Sequence, residues 1–493
     1  MFCPAGLMTL ATTLLLLLLP PILIQLRNIL SPSSKRQHLP PGPKPWPIIG
    51  NILQLMKNPH VSLANLAKVH GPLVSLRLGT QLLVVGSSPQ AASEILKTQD
   101  RLLSGRRISK LSVYESDVLD RMSIVSTSKC TDEWKYLRTL CRNELFSAKA
   151  IESQAILREK KVAELVEFLG VREGKVVNIG EAVFAIVFNI LGNLFVSRDI
   201  ISIEDKGAGH GLKCLIWKIM EIGATPYLPD YFPIWDIQDQ KRKLSKLIKE
   251  MSATWESEIK ERREIQVQDS SKADFLDVFI ANGFDDQKIS WLFLEMFGAG
   301  TDTTTVTVEW ATAELIKNKQ VMNKVRQELR EFNQNPIKES QVGQLQYLNA
   351  CVKETLRLHP PVPFLIPRCA AETCKVMDYT VPKNSQVIVN VSAIGRDPSV
   401  WEDPLLFKPE RFIGTSLDFK GQNFELLPFG GGRRICPGLP MAARQVPLIL
   451  ATLIQSFDWS LPNGEDPQDL DMNDKFGITL QKQQPLLLVP KRI

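Results

Sequence analysis

The residue types best suited to chemistry lie together near the C-terminal end, in the stretch FGGGRRICPG at 429–438. This stretch sets Cys436 beside two arginines and just before an apolar, helix-like run that starts at Met441. Nearby cations and the amides at the start of a helix both favour a thiolate. Gly432 and Gly438 lack a Cβ, so they are predicted to let the backbone approach a flat ligand closely. The alternative is a buried structural cysteine, which leaves the glycines and arginines unexplained.

This segment resembles the haem-thiolate loop of the cytochrome P450 family, F-x-x-G-x-R-x-C-x-G, and matches it at every fixed position. The resemblance implies the mainly α fold of that family, with a small β portion, and a haem b cofactor. It implies that Cys436 is the axial iron ligand, whose thiolate favours cleavage of the O–O bond. The further haem contacts that it implies are Arg434, Trp134, Arg138, Arg368, Phe429, Gly432 and Gly438.

A second stretch, AGTDTT at 299–304, lies inside a predicted helix over 290–317. Gly298, just before this stretch, Gly300 and several threonines weaken the helical hydrogen-bond ladder. By the same resemblance this is the family's groove for dioxygen. Thr303 is then predicted to hydrogen-bond the oxygen and Asp302 to relay protons, which makes these two the predicted catalytic residues.

Glu354 and Arg357 lie three residues apart and therefore share one face of a predicted helix. Most such pairs are solvated surface pairs. Here they resemble the family's E-x-x-R motif, which joins the arginine of a downstream P-E-R-F, present as residues 409–412. The resemblance implies a buried structural triad of Glu354, Arg357 and Arg411.

The candidate substrate residues start from Glu295, which lies one helical turn before Ala299 and on the same face. A buried carboxylate is costly unless it is paired, so a protonated amine in the substrate would suit it. The alternative partner is a basic side chain of the protein. By family analogy the wall also draws on residues at about 106–125, 217–231, 362–366 and 476–478. The predicted substrate contacts are Glu295, Ala299, Phe364, Leu365, Ile366 and Phe476.

The sequence around these motifs resembles that of plant microsomal members of the family, notably PFGGGRRICPGLP at 428–440 and residues 393–398. Residues 92–98 and 151–154 resemble the branch that oxidises alkaloids of the benzylisoquinoline or tropane type, while a terpenoid-hydroxylating branch is the alternative. Hydroxylation, C–C or C–O phenol coupling and oxidative rearrangement share every motif, so the choice among them stays open. A non-enzymatic binding protein on the same fold is a further alternative, although binding alone needs no proton relay.

The elements that must position these residues are visible in the hydrophobic pattern. Residues 74–85 predict a β-hairpin, and Ser88-Pro89 predicts the start of a helix. A helix over 345–358 is predicted to stop at the His-Pro-Pro that follows it. Residues 387–391 predict a short strand, and the proline- and glycine-rich stretch 404–437 is predicted to be irregular.

The N-terminus predicts a membrane anchor at 1–30, because the first 26 residues carry no charged side chain. A cleaved signal peptide is the alternative. Basic residues after the span orient the catalytic part, 51–493, towards the cytosol at the endoplasmic reticulum. The proline-rich stretch 31–50 is predicted to be either a rigid spacer or an ordinary linker.

Composition narrows the partners. Among 493 residues, 44% are hydrophobic and 23% charged, which fits a globular protein and excludes disorder and a bundle of membrane spans. A net charge of +6 on this length gives no reason to expect nucleic acid. No G-x-G-x-x-G motif is present, which argues against a nicotinamide oxidoreductase. The family resemblance implies that electrons come from NADPH through a membrane-bound reductase. The basic residues predicted to meet that reductase are Lys135, Arg142 and Arg433.

Overall fold

The structure, a computed structural model, describes residues 38–55, 57–204, 208–232, 238–265, 274–332 and 335–493. Within these ranges helices dominate and the strands form small sheets, as predicted. The anchor predicted at 1–30 and the first part of the predicted spacer, 31–37, lie outside the described residues.

The helices of the N-terminal half are α1 (Pro59–His70), α2 (Pro89–Ser93), α3 (Asp100–Leu103), α4 (Ser116–Met122), α5 (Asp132–Glu144), α6 (Ala148–Ser153), α7 (Ala155–Gly170), α8 (Ile179–Val196), α9 (Ala208–Ala224), α10 (Leu228–Tyr231) and α11 (Gln238–Ile265). Those of the C-terminal half are α12 (Phe275–Ala281), α13 (Asp286–Lys317), α14 (Lys319–Glu331), α15 (Glu339–Val342), α16 (Gln346–Leu358), α17 (Val391–Gly395) and α18 (Leu439–Ser456). Short 3₁₀ turns cover Ile52–Leu55, Pro409–Phe412, Gly432–Arg434, Pro462–Gly464 and Pro467–Asp469, and a π turn covers Glu94–Thr98.

The strands are β1 (Leu73–Leu78), β2 (Gln81–Gly86), β3 (Val177–Asn178), β4 (Arg368–Cys369), β5 (Cys374–Val376), β6 (Tyr379–Val381), β7 (Gln386–Val389), β8 (Phe457–Ser460), β9 (Asp474–Lys475), β10 (Gln481–Lys482) and β11 (Leu487–Arg492). They form sheets of order β1-β2-β7-β4 and β3-β11-β8, and two-stranded pairs β5-β6 and β9-β10. The predicted hairpin is β1-β2, which is antiparallel, whereas β2 pairs with β7 in parallel.

The long helix α13 crosses the molecule and packs against α8 and α18. α8 is mostly apolar and long enough to cross a membrane, but 83% of its 18 residues are buried inside the protein. A helix that is hydrophobic all round is expected in the core of a large domain. α8 is therefore the inner support of α13.

Local sequence signals account for where the predicted helices begin and end. α13 starts four residues before the predicted position, because the side chain of Asp285 accepts a hydrogen bond from the Lys288 amide and caps the helix. The side chain of Ser88 caps α2 in the same way. α16 ends at Leu358 as predicted, since the prolines at 360–361 cannot continue it.

The described part of the predicted spacer lies against the sheet. Ser75 of β1 donates its amide to the carbonyl of Pro41 at 2.9 Å and its hydroxyl to that of Pro40 at 2.6 Å. Gly50 forms a further bridge with Leu78. Residues 40–50 are therefore part of the folded body.

Candidate active site

A cavity of about 1190 Å³ lies between α13 and the loop that precedes α18, and it continues past the thiol of Cys436 towards α6 and α15. The predicted site residues that line it are Arg138, Glu295, Ala299, Thr303, Leu365, Ile366, Arg368, Phe429, Arg434, Cys436 and Gly438. Those that do not line it are Trp134, Asp302, Phe364, Gly432 and Phe476.

Cys436 lies at the start of α18, where backbone amides converge on its sulfur. Burial raises the pKa of this thiol, while the amides of Gly438 and Leu439 and the guanidinium of Arg138 lower it. The two arginines of the loop have other partners: Arg433 pairs with Asp100 at 3.3 Å, and Arg434 donates to the carbonyl of Ser104 at 3.0 Å. The predicted effect of the helix start is therefore present, but the cation that stabilises a thiolate comes from α5.

The two glycines of the loop have different surroundings. A Cβ on Gly438 would meet only the sulfur of Cys436 within 4 Å, at 3.8 Å, so this glycine leaves the sulfur accessible. Gly432 has a φ of +67°, and a Cβ there would lie 2.2 Å from the carbonyl oxygen of Leu96. The close approach that Gly432 allows is therefore to the polypeptide after α2, and its contact with a flat ligand stays a prediction.

Four arginines meet at one side of the cavity, namely Arg106, Arg138, Arg368 and Arg434. Burial lowers the pKa of the Arg106 guanidinium well below its usual value, and the positive charges of the other three lower it further. Asp100 pairs with Arg368 at 2.9 Å. Within the part of the chain that the structure describes, the buried Nε of Arg106 has no hydrogen-bond partner. Such a cluster fits a ligand that brings carboxylates, and together with an accessible cysteine sulfur it fits a haem with its two propionates.

Trp134 contributes to this cluster from outside the cavity. The guanidinium carbon of Arg434 lies 4.7 Å from the centre of its ring, and that of Arg138 lies 5.6 Å away. Its Nε1 donates to the carbonyl of Ile124 at 2.8 Å, and Arg434 donates to Thr127 Oγ1 at 2.7 Å. The indole therefore orients two of the arginines by cation–π contact.

The two predicted catalytic residues point in different directions from α13. Thr303 faces the cavity, and its hydroxyl donates to the carbonyl of Ala299 at 2.7 Å. Asp302 is 1% exposed and points to the opposite side, where its carboxylate accepts hydrogen bonds from Trp217, Thr479 and Gln481. Burial raises the pKa of Asp302, and those donors lower it. The structure brings Thr303 together with Cys436 around one cavity and holds Asp302 directly behind it.

Glu295 lies in the cavity wall, but its carboxylate is already bonded to the protein. It accepts from the hydroxyl of Ser123, from the amides of Ile124 at 2.9 Å and Val125 at 3.2 Å, and from Nε1 of Trp291 at 3.2 Å. Burial raises its pKa and these donors lower it. The sequence predicts a cationic partner for Glu295, either an amine of the substrate or a basic side chain of the protein. Its partners among the described residues are instead neutral donors.

Two predicted substrate contacts lie away from the cavity. Phe364 and Phe476 pack on each other with ring centres 5.6 Å apart, and Phe476 stacks on His60 at 5.7 Å. Leu365 and Ile366, the next residues along the chain, do line the cavity. Leu365 has a φ of +54°, and this left-handed turn directs the segment so that only part of it faces inward.

The structure brings Glu354, Arg357 and Arg411 together in the interior. Arg357 donates to both oxygens of Glu354, at 2.7 and 2.8 Å, and Arg411 donates to one of them at 3.0 Å. Arg357 also donates to the carbonyl of Pro404 at 2.7 Å, so the group joins α16 to the irregular segment before the cysteine loop.

Sequence reasoning missed Arg106 as part of the site. The sequence places it in the predicted wall segment 106–125 but gives no sign of its role as a fourth guanidinium. The only local signal is the pair of adjacent arginines, Arg106 and Arg107. Arg107 turns away and donates to the carbonyl of Asp230 at 3.1 Å, so the fold alone distinguishes the two.

The sequence matches the family model described as Cytochrome P450 over residues 40–489. A probable (S)-N-methylcoclaurine 3'-hydroxylase isozyme 2 from Coptis japonica is 51% identical over 463 residues, which cover 93% of this chain and 94% of that protein. Corytuberine synthase from Coptis japonica is 46% identical over 482 residues, or 96% of this chain and 98% of that protein. Geraniol 8-hydroxylase from Catharanthus roseus is 41% identical over 474 residues, or 94% and 95% respectively. The similarity therefore extends over nearly the whole chain.

Proposed function

Since the chain belongs to the cytochrome P450 family and is therefore a haem-dependent monooxygenase, we propose that its substrate is an alkaloid of the benzylisoquinoline type. The observation that carries this proposal is the cavity above Cys436, combined with relatives at 46–51% identity that are named as N-methylcoclaurine 3'-hydroxylases. The family match confirms the predicted fold and the predicted haem cofactor, with electrons derived from NADPH through a reductase.

We propose Cys436 as the axial ligand of the haem iron. A thiolate ligand donates electron density to the iron and favours cleavage of the O–O bond. The chain's own contribution is to hold the sulfur at the start of α18, where two amides and Arg138 stabilise its negative charge. Arg138, Arg368 and Arg434, with Arg106 added from the geometry, are the proposed partners of the propionates. Phe429 lies seven residues before Cys436 and also lines the cavity, so it is proposed to contact the haem ring.

For proton delivery we propose Thr303 in the cavity wall and Asp302 behind it. The Thr303 hydroxyl faces the space above the cysteine and is the proposed hydrogen-bond partner of dioxygen. Asp302 is buried and bonded to three donors, so it is the proposed group that holds and releases protons on the side away from the substrate. Glu354, Arg357 and Arg411 are proposed to have a structural role only, because they lie apart from the cavity's reacting region.

The proposed substrate face is formed by Glu295, Ala299, Leu365 and Ile366, which line the cavity. Phe364 and Phe476 do not line the cavity, so they are proposed as contacts only for a substrate that extends beyond the cavity. Geraniol 8-hydroxylase, at 41% identity, supports a terpenoid alcohol as the second candidate. Hydroxylation is named among the relatives. Phenol coupling and oxidative rearrangement share the same sequence motifs, so the proposal covers these outcomes as well.

The proposed partner is the membrane-bound NADPH–cytochrome P450 reductase, approached through Lys135, Arg142 and Arg433. We also propose that residues 1–30 anchor the protein in the endoplasmic reticulum membrane, with the catalytic part in the cytosol. Alkaline extraction of microsomes tests the anchor: the full chain is expected to stay in the pellet, and its release would contradict the proposal.

The experiment that tests the function is a product-mass measurement. Microsomes that contain this protein and a plant reductase receive NADPH and, separately, (S)-N-methylcoclaurine, a tropane amine and geraniol. Gain of one oxygen on the benzylisoquinoline supports hydroxylation, and loss of two hydrogens supports coupling. Turnover of geraniol alone would overturn the alkaloid proposal.

A further inference from the structure

The carboxylate of Asp302 is held by two elements that lie far from it in sequence. Nε1 of Trp217, on α9, donates to Oδ1 at 3.1 Å. From the C-terminal segment around β9 and β10, Thr479 donates its hydroxyl to Oδ2 and Gln481 donates its amide to Oδ1 at 3.3 Å. Both oxygens of the acid are thus fixed from outside α13.

Lys213, a buried lysine on α9, adds a positive charge near Asp302. Nζ of Lys213 lies 4.2 Å from the centre of the Trp217 ring and 3.9 Å from a carboxylate oxygen of Glu181, whose side chain is 49% exposed. Lys213 also lowers the pKa of Asp302, while Glu309 on α13 is the nearby acid that opposes it. Therefore α9 brings both a hydrogen-bond donor and a positive charge to Asp302.

We infer that Trp217, Thr479 and Gln481 are positioning residues that couple the proton-relay acid Asp302 to the docking of α9 and the C-terminal segment on α13. This rests on the proton role proposed above for Asp302. A buried ionised carboxylate is costly without donors. If α9 moves away, Asp302 loses one donor and the lysine charge, and it no longer keeps its orientation behind Thr303.

The coupling has a consequence for electron use. Each hydrogen peroxide released consumes one O₂, both electrons of one NADPH and two protons, and it yields no oxidised substrate. When Asp302 is misplaced, proton delivery to the Thr303 side slows and more NADPH is expected to end as peroxide. Substrate binding is expected to stay unchanged, since none of the three positioning residues lines the cavity.

The test compares Trp217→Phe and Thr479→Val with Trp459→Phe in the full-length, haem-loaded protein. Trp459 is the matched control, because its Nε1 also donates a single bond, to the carbonyl of Leu453 at 3.1 Å, on β8 away from the site. With (S)-N-methylcoclaurine as probe, peroxide released per NADPH is expected to rise about threefold to tenfold in both site variants, the effect of about 1 kcal/mol per lost hydrogen bond. The probe's dissociation constant, from the haem absorbance change, is expected to stay within about twofold. The control is expected to change neither quantity.

Hydrogen–deuterium exchange supplies a readout that does not depend on turnover. Asp302→Asn is expected to increase exchange in both the α9 peptide and the 474–482 peptide. Equal exchange in Asp302→Asn and the parent, or equal peroxide in the parent and both site variants, overturns the coupling. If Asp302→Asn itself leaves peroxide release unchanged, the proton role of Asp302 fails and the coupling with it. If peroxide release rises in Asp302→Asn but not in Trp217→Phe or Thr479→Val, the coupling is rejected while the proton role of Asp302 stands.

Discussion

At the scale of single residues, the four-arginine cluster carries more positive charge than Asp100, the acid paired with Arg368, compensates. Arg106 is the most strongly affected member, because burial and the charges of Arg434, Arg368 and Arg138 all oppose its protonated form. It donates to the carbonyls of Ile366 and Pro367, the latter at 2.8 Å, and no acid pairs with it among the described residues. The haem-free and haem-bound proteins should therefore respond oppositely to its removal.

We expect Arg106→Gln to leave the haem-free protein as stable as the parent or more stable, because like-charge repulsion is relieved. The same change is expected to speed haem dissociation about tenfold, since a charged hydrogen bond contributes about 1.5–3 kcal/mol. Thermal unfolding of both forms and transfer of haem to an acceptor protein measure the two effects. Arg107→Gln is the control, and a loss of stability in haem-free Arg106→Gln would contradict the repulsion.

Glu295 permits a second residue-scale prediction, on the chemistry of the substrate. If its charge attracts an amine, Glu295→Gln should weaken binding of (S)-N-methylcoclaurine far more than binding of a neutral analogue of the same shape. Its four protein donors give a competing reason for loss, because an amide there would direct N–H groups at the amides of the 123–125 loop. Spectral titration of both ligands decides: equal weakening identifies Glu295 as an anchor of the loop and rejects the amine partner.

At the scale of elements, the Glu354 triad joins α16 to the 3₁₀ turn at 409–412. Removing the acid by Glu354→Ala leaves two guanidinium groups uncompensated, one of them fully buried. Breaking a buried ion pair by removing one partner costs about 3–5 kcal/mol. We expect a lower unfolding midpoint in urea and weaker retention of haem, because the cysteine loop follows this turn.

The same turn offers a control at its surface. Lys324 pairs with Glu410 at 2.6 Å, with both side chains about half exposed. Surface pairs contribute about 0–1 kcal/mol, so Lys324→Ala is expected to move the midpoint little. A comparable loss in Lys324→Ala and Glu354→Ala would mean that burial does not decide the strength of these pairs.

How far the sequence predicts the molecule depends on how local each feature is. The boundaries of α13 and α16 follow from a cap and two prolines, and they agree with the prediction to within a few residues. The partners of Asp302 lie 85 to 179 residues away along the chain, and no local pattern encodes such pairs. The close neighbour of Gly432 is equally remote in sequence, since it is the carbonyl of Leu96.

At the scale of the whole molecule, the net charge of +6 matters only where it is concentrated on an accessible face. Lys135 is paired with Asp132 at 2.7 Å and Arg433 with Asp100, so part of their charge is already neutralised. Arg142 is exposed and has no ion-pair partner among the described residues. It is therefore the strongest candidate for contact with an acidic reductase.

We expect Arg142→Glu to lower NADPH-driven turnover severalfold at low salt while turnover supported by added hydrogen peroxide stays unchanged. Charge steering is screened within a Debye length of about 8 Å at physiological salt, so the difference should shrink as salt is added. Lys68→Glu, an exposed change on α1, is the control. Equal loss in the peroxide-driven reaction would indicate damage to the site rather than to the encounter.

The attachment of Pro40 and Pro41 to β1 also limits how far the catalytic body can stand from a membrane. If the proposed anchor ends at residue 30, His38 lies eight residues further along, and the carbonyl of His38 accepts a hydrogen bond from the Thr380 amide of β6 at 2.7 Å. A fully extended chain gains at most about 3.5 Å per residue, so this connection spans no more than about 28 Å. With that anchor, the catalytic body would stay within this distance of the bilayer and would be held by the side that carries β1 and β6.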